Sequence, residues 1–501
     1  MTRFWSYRSW CIPLLLAAGH CALASDRDLI GYTALTARPG ALQADGAGIP
    51  VAQVEAFAPG TSDYAPNTAL TSFAGKTFTF RSGASAISSH ASQVAGLYYG
   101  SIASAAPDVP VVSLFSAESF ITGLLRSGRA NRAPGGVGAS VVNNSWIADL
   151  SDDAANFDVL HRLDDLINRD DVLVFNAVSN TASDPFPKLL AASYNGVTVG
   201  TLTGTRGPLL YDGAVARIKP DFVVNTGITS NSSALAAGAG ALLRSEAKVR
   251  GLPASELATK AMLMAGAQRD VNWHRGRLSG ADNVTAPLDF QQGAGQLRVD
   301  HSFDILTAGK HSAGTVIAPA GGWDYARTAR GTSDASYYLH VDQTLPNWAA
   351  FLTWNRSIAG VQPDGHYSTA ATLADFDLSL YLSRRSGRRL VAQSDSPGDN
   401  VESLTLTGLA PGDYQLVLTS DIRSYYGIAW YEDASLSTGL AAPLAINSGA
   451  TDGMNGSFIS SVPEPSSIWL TLASTAMMCL RRRRTRSCVE QRPWRAYDRV
   501  A

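Results

Sequence analysis

From about residue 45 to residue 300, short apolar runs alternate with stretches of helical period. The runs at 51–56, 109–114, 139–143, 172–177, 197–202 and 222–225 read as strands, and 89–97, 153–169, 232–247 and 254–265 read as helices. Strands separated by helices predict a parallel sheet covered on both faces. Sites in such sheets form at the C-terminal ends of the strands. From about 310 to 432 the period changes to two, at 337–341, 348–354, 375–382, 401–406, 414–419 and 426–431. Turn residues such as Pro411-Gly412-Asp413 separate these runs, which predicts an antiparallel β-sandwich. The Ser-, Gly- and Ala-rich stretch 433–461 reads as a linker. The expected fold class is α/β, with helices on both faces of a parallel sheet at 25–305, followed by an antiparallel β-sandwich at 306–432.

The two ends of the chain read as address segments. Arg3 and Arg8, an apolar run over 12–18 and Ala22-Leu23-Ala24 before Ser25 have the order of an export signal spanning 1–24. At the other end, Val462-Pro463-Glu464-Pro465 precedes an apolar stretch over 468–480 and then Arg481-Arg482-Arg483-Arg484. That order, over 462–484, resembles the PEP-CTERM sorting signal of Gram-negative bacteria. The resemblance implies export, transient anchoring in the inner membrane with the arginines inside, processing by an exosortase, and a final place at the cell surface or outside the cell. Positive flanks stay cytoplasmic, in agreement. The apolar run is shorter than the roughly 20 residues of a full span. A basic tail, 485–501, completes the chain.

Composition changes this picture in two ways. All four cysteines, Cys11, Cys21, Cys479 and Cys488, fall in the end segments, so the body has neither disulfides nor thiolate metal sites. Residues 1–24 and 481–501 hold ten Lys/Arg and two Asp/Glu of the chain's 40 and 42, which leaves 30 against 40 in the body, about ten net negative charges. That balance argues against nucleic acid as a partner.

Four short stretches carry candidate chemistry. Val51-Ala52-Gln53-Val54-Glu55 ends in a carboxylate. Ser89-His90-Ala91-Ser92-Gln93 offers a base, Asn176-Ala177-Val178-Ser179-Asn180 an amide after an apolar strand, and Ile228-Thr229-Ser230 a hydroxyl at the head of a small-residue helix. Each alone has an ordinary explanation. Ser230 fits a helix cap and Asn180 a turn. Together they have the roles of a serine hydrolase. A serine hydroxyl is a weak nucleophile until a base such as His90 takes its proton. Glu55 would hold the other imidazole N–H. Asn180 would donate to the developing oxyanion, a contribution of about 10²- to 10³-fold in rate.

The order carboxylate, histidine, asparagine, serine resembles that of the subtilisin-like serine peptidases. Lys219-Pro220-Asp221-Phe222, the helix over 234–243, Gly293-Ala294-Gly295-Gln296-Leu297 and Val142-Asn143-Asn144-Ser145-Trp146 resemble further segments of that family. The resemblance covers roughly residues 45 to 300. It implies a subtilisin-like sheet, peptide-bond hydrolysis on protein or peptide substrates, and substrate contacts from Asn144, Ser145, Trp146, Ala177, Val178 and Ser179. Calcium is common in the family, but no Asp-rich loop here names its ligands. No other cofactor is implied.

The departures are specific. Glu55 stands where the family has aspartate, with Asp45 and Asp63 as nearby substitutes. Ile228 stands where it has the glycine of Gly-Thr-Ser, and Ala234 replaces a proline. Three functions follow: an exported serine endopeptidase with a Glu55-His90-Ser230 triad; a catalytically impaired relative acting in surface binding or extracellular matrix assembly; and an acidic glutamate-serine carboxyl peptidase, against which His90 argues.

Overall fold

The computed structural model describes residues 26–253, 255–276, 282–329 and 334–433. The export signal, the sorting segment, the basic tail and the linker beyond Asp433 lie outside the described residues, and so do all four cysteines.

A seven-stranded sheet forms from β1 Val51–Glu55, β2 Thr77–Phe80, β3 Val111–Ser116, β4 Val141–Asn144, β5 Leu173–Ala177, β6 Val197–Gly200 and β9 Phe222–Val223, in the order β2-β3-β1-β4-β5-β6-β9. All its pairings are parallel. β7 Gly207–Leu209 and β8 Arg217–Lys219 make a separate antiparallel pair. Among the described residues the α-helices are α1 Asp26–Leu29, α2 Tyr32–Thr36, α3 Ser89–Tyr98, α4 Ala117–Ser119, α5 Asp153–Asp170, α6 Thr229–Val249, α7 Glu256–Ala265 and α8 Val299–Ala308. α8 runs across the expected 305–306 boundary.

Successive strand residues face opposite sides, and the two faces build two cores. Val51, Val112, Leu114, Leu173 and Phe175 pack with the alanines of α6. Ala52, Val54, Val142 and Val174 pack with Val159, Leu163 and Ile167 of α5. Gln53 and Glu55 share the face of Val51, which is covered by α3 and α6. Small residues bring α6 close to its neighbours. A Cβ on Gly240 would meet Leu173 and Phe175 at 2.8 and 2.9 Å, and one on Gly238 would meet the Tyr98 carbonyl at 2.9 Å. The helix that carries Ser230 is thereby seated against the sheet and α3.

The C-terminal part comprises β10 Val316–Ile317, β11 Gly321–Arg327, β12 Ala335–Val341, β13 Leu345–Trp354, β14 Ser357–Val361, β15 Tyr367–Thr372, β16 Phe376–Arg384, β17 Gly387–Asp395, β18 Val401–Leu409, β19 Gly412–Ser420 and β20 Tyr425–Glu432. They form a five-stranded sheet, β10-β12-β19-β16-β17, a four-stranded sheet, β11-β20-β13-β18, and a β14-β15 hairpin. Trp348, Ala350, Leu352 and Trp354 of β13 fill the sandwich interior. The intervening Ala349 and Phe351 join the first core together with Trp323 and Ala429. The four-stranded sheet is therefore buried on both faces, one of them against α7 and α8. The simple apolar-in, polar-out alternation expected for 348–354 does not hold there.

The β14-β15 hairpin reaches from the sandwich onto α5. At its base the buried Arg356 pairs with Asp164 at 2.5 Å and Asp212 at 2.7 Å. Tyr367 donates to Asp165 at 2.9 Å.

Candidate active site

Glu55 closes β1, an interior strand of the sheet between β3 and β4. α3 begins at Ser89, capped by the Ser88 hydroxyl, which accepts from Ala91 N–H. The cap sets His90 in the first turn, over the end of β1. Glu55 Oε2 lies 2.9 Å from His90 Nδ1. Glu55 is buried and His90 is half-buried with its ring partly open. Burial pulls His90 down, but the Glu55 charge and the hydrogen bond to it outweigh burial, so His90 titrates above its usual 6.5. The two substitute carboxylates are engaged elsewhere: Asp45 accepts from Tyr32 OH at 3.2 Å and Asp63 from Ala86 N–H at 3.2 Å.

Ser230 is the second residue of α6. The turn before it is built by Gly227, at φ 79°, and Ile228 follows in extended conformation at φ −134° and ψ 120°. The left-handed residue is thus Gly227, and the β-branched Ile228 sits in backbone that suits it. Thr226 Oγ1 donates to the Ile228 carbonyl at 2.7 Å, and the Asn231 and Ser232 N–H groups donate to the same oxygen, each at 3.1 Å.

Thr229, which the sequence reading passed over, joins the Asn180 amide to the start of α6 directly before Ser230. Its backbone N–H donates to Asn180 Oδ1 at 2.8 Å, and its hydroxyl lies 2.6 Å from the Val178 carbonyl and 2.8 Å from Asn180 Oδ1. A backbone N–H only donates, so the atom it meets is the amide oxygen and Nδ2 faces the other way. Among the described residues, Asn180 Nδ2 and the Ser230 backbone N–H have no acceptor, whereas the N–H groups of Thr229, Asn231 and Ser232 are all occupied. Open donors at a helix N-terminus have the chemistry to hold an anion. His90 Nε2 and Ser230 Oγ are not hydrogen-bonded to each other, and neither has another partner among the described residues.

The side chains assigned to substrate contact lie inside the protein. Asn144 donates to Asn176 Oδ1 at 2.9 Å. Ser145 Oγ donates to the Ser230 carbonyl at 2.8 Å and accepts from Asn143 Nδ2 at 2.9 Å. Trp146 is 5% exposed and packs in the α5-side core with Phe115 and Phe120. Ala177, Val178 and Ser179 are buried, and Ser179 Oγ bonds Asp184. Any contact these segments make with a substrate falls to their backbone. In particular Trp146 belongs to a core, because the chain beyond the end of β4 turns its ring under the sheet. Among the described residues no group of three or more His, Cys, Asp or Glu side chains is arranged to hold a metal ion, so the calcium implied by the resemblance has no such ligand set there.

Gln53 and Tyr99 complete the surroundings of Glu55. Gln53 Nε2 donates to Glu55 Oε1 and to the Ala91 carbonyl, each at 2.9 Å, and Tyr99 OH donates to Gln53 Oε1 at 2.5 Å. Gln53 was findable, since residues two apart on a strand share a face. Tyr99, at the far end of α3, carried no local signal.

No protein-family model matches the chain, and no curated protein matches it. Among solved structures, a protease domain of PatA is 18% identical with a TM-score of 0.36, over 54% of this chain and 98% of that one. The PatG macrocyclase in complex with peptide is 13% identical with a TM-score of 0.39, over 56% and 98%. MycP1 with its N-terminal propeptide removed is 16% identical with a TM-score of 0.35, over 56% and 96%.

Proposed function

We propose that this chain is a serine endopeptidase of the subtilisin-like kind, acting on protein or peptide substrates through Glu55, His90 and Ser230 with Asn180 as an oxyanion donor. The observation that carries the reading is a histidine on α3 held by a carboxylate, with α3 meeting the head of α6 where Gln93 Nε2 donates to Asn231 Oδ1 at 3.1 Å. The Asn180 amide and the Ser230 N–H stand open beside a hydroxyl, and the Glu55–His90 contact at 2.9 Å supplies a base with a fixed tautomer.

In this mechanism Ser230 Oγ bonds to the scissile carbonyl carbon and its proton passes to His90 Nε2. Glu55 stabilises the imidazolium. The carbonyl oxygen becomes an oxyanion held by Ser230 N–H and Asn180 Nδ2. Collapse breaks the C–N bond, and the amine leaves with the proton from His90. Water then repeats the sequence on the acyl-enzyme, with His90 again the base. Ser230 Oγ and His90 Nε2 are not bonded in the free protein, and such bonds often tighten only when substrate is bound. A serine-directed phosphonate should label Ser230 stoichiometrically in the wild type and not in His90→Ala. An unlabelled wild type would sink the proposal.

The same missing Ser230–His90 bond favours a second reading, a catalytically impaired relative acting in surface binding or matrix assembly. It predicts binding to cells or polysaccharide that survives Ser230→Ala in a protein that no phosphonate labels. The acidic carboxyl-peptidase reading is disfavoured because Glu55 is engaged by a histidine.

The place of action is proposed from the end segments: export by residues 1–24, transient inner-membrane anchoring through 462–484, exosortase-type processing, and release to the surface or medium. No helix among the described residues is long and apolar enough to cross a membrane. Mature protein starting at Ser25 and ending near Pro463 would support this, and an intact chain in the cytoplasm would contradict it.

A further inference from the structure

Glu55 has one more methylene than an aspartate and so one more torsion to hold still. A carboxylate that orients a histidine is useful only if its own rotamer is fixed. We infer that Gln53 and Tyr99 are positioning residues of this site: the Tyr99 phenol fixes the Gln53 amide, and the amide clamps Glu55 Oε1 so that Oε2 faces His90. The inference rests on the peptidase reading of the same site.

The chain of donors runs one way. Tyr99 OH donates to Gln53 Oε1 at 2.5 Å. Burial, and then the nearby Glu55 charge, push the Tyr99 phenol far above its usual range, so it keeps its proton to donate. The Gln53 amide is therefore oriented with Nε2 toward Glu55 Oε1 and the Ala91 carbonyl, each 2.9 Å away. A flipped amide would set its oxygen against two acceptors and its nitrogen against a donor. Both Nε2 hydrogens and the oxygen are used, and Gln53, Glu55 and Tyr99 are each at most 1% exposed.

This geometry does two things. It divides the carboxylate, with Oε1 bound by the amide and Oε2 left for His90. It also ties β1 to α3 at Ala91, the residue after the base, so the strand that carries the carboxylate and the helix that carries the imidazole are held by one side chain. The clamp offers a physical account of how glutamate can serve where the longer side chain would otherwise swing. Among the described residues the charged group acting on His90 is Glu55, and the other titratable group facing Glu55 is Tyr99.

The test uses Gln53→Met, which keeps the length and removes the hydrogen bonds, and Tyr99→Phe, which removes only the hydroxyl. Two readouts are taken: steady-state kinetics on a peptide substrate, and the His90 titration with its Nδ1 proton followed by NMR in the full-length protein. Gln53→Met should lose at least about tenfold in kcat with KM unchanged, the signature of an interaction made in the transition state. Its His90 titration should move to lower pH and the Nδ1 proton resonance should weaken or shift upfield. Tyr99→Phe should change both readouts in the same direction by less, and it keeps the question open to test if Gln53→Met does not fold. An unmoved His90 titration in both folded variants overturns the inference, even if their melting temperatures fall. If the wild type takes no phosphonate at Ser230 yet the titration moves, the clamp stands and the peptidase reading is what fails.

Discussion

Asn180 Oδ1 accepts the backbone N–H of Thr229 at 2.8 Å, so the side chain proposed as oxyanion donor is locked to the residue directly before Ser230. One amide thus has a structural end and, in the proposed mechanism, a chemical end, and two substitutions separate them. Asn180→Asp keeps an acceptor for Thr229 and loses the donor. It should lower kcat by about 10²- to 10³-fold or more, with a melting temperature near that of the wild type. Asn180→Ala loses both ends, and the buried Thr229 N–H is left unpaired at a cost of about 1–3 kcal/mol. Kinetics and thermal melts on the pair distinguish the roles, and equal melting losses in both variants would contradict the division.

Glu55 and His90 predict a pH dependence with a definite sign. The folded-state pKa of His90 lies above 6.5, because the Glu55 charge and hydrogen bond outweigh burial. In the proposed mechanism neutral His90 is the base, so the acid limb of the kcat/KM profile should inflect above 6.5. In Glu55→Gln burial is left to act, so the inflection should fall below 6.5 and the plateau should drop. Stability follows the same linkage. The contact favours protonated His90, so its contribution is fully present below the unfolded pKa near 6.5 and is lost as pH rises through the folded value. The melting-temperature gap between wild type and Glu55→Gln should be wider at pH 6 than at pH 9, and a gap that widens toward pH 9 would contradict the assignment.

The sequence made the parallel sheet and the sandwich readable because most of their strands are apolar runs separated by helical or turn signals. It was less informative where a neighbour decides. Thr77–Phe80 alternates but lies on the sheet edge without a well-buried face, and it was not read as a strand. On β13, Ala349 and Phe351 are buried by α7 and α8, a contact made by residues far away in the chain. At the site, His90, Asn180 and Ser230 were singled out by their local motifs. Trp146 lies past the last residue of β4, where the period of two no longer says which way a side chain points, and it turned out to be core. That Gly227 rather than Ile228 takes the left-handed backbone before Ser230 is something only backbone angles reveal.

Gly227 gives a prediction free of steric complication. Its φ is 79°, and a Cβ there would have no heavy atom within 4 Å. Gly227→Ala should therefore cost conformational strain alone, roughly 1–2 kcal/mol. If the turn relaxes, Ser230 shifts relative to His90, so kcat should fall more than KM changes. Ile228→Gly leaves φ unconstrained at an extended position and should cost about 0.5–1 kcal/mol through backbone entropy. Denaturant melts and kinetics on both variants check this, and an Ile228→Gly protein that is more stable and faster than wild type would show the turn to be wrongly assigned.

Gly427 tests how firmly the sandwich is joined to the helices of the parallel-sheet domain. A Cβ at this position on β20 would lie 2.5 Å from the Leu257 carbonyl carbon and oxygen and 2.7 Å from Ala258 N, all backbone atoms at the start of α7. Backbone cannot yield as a flexible side chain can, so Gly427→Ala must lift α7 from the sheet. Phe351 and Ala429 pack at the same interface, and Thr353 Oγ1 donates to the Leu257 carbonyl at 3.1 Å. Overpacking of this kind costs about 1–3 kcal/mol. The substitution should lower the melting temperature and loosen the packing of the sandwich on α7, so that one transition broadens or splits. Gly96→Ala in α3 is the control. A Cβ there meets nothing within 4 Å, and removing a helical glycine should gain roughly 0.5–1 kcal/mol. Calorimetry on the three proteins decides the point, and a Gly427→Ala protein that melts like the wild type in a single sharp transition would mean that β20 and α7 are not packed this closely.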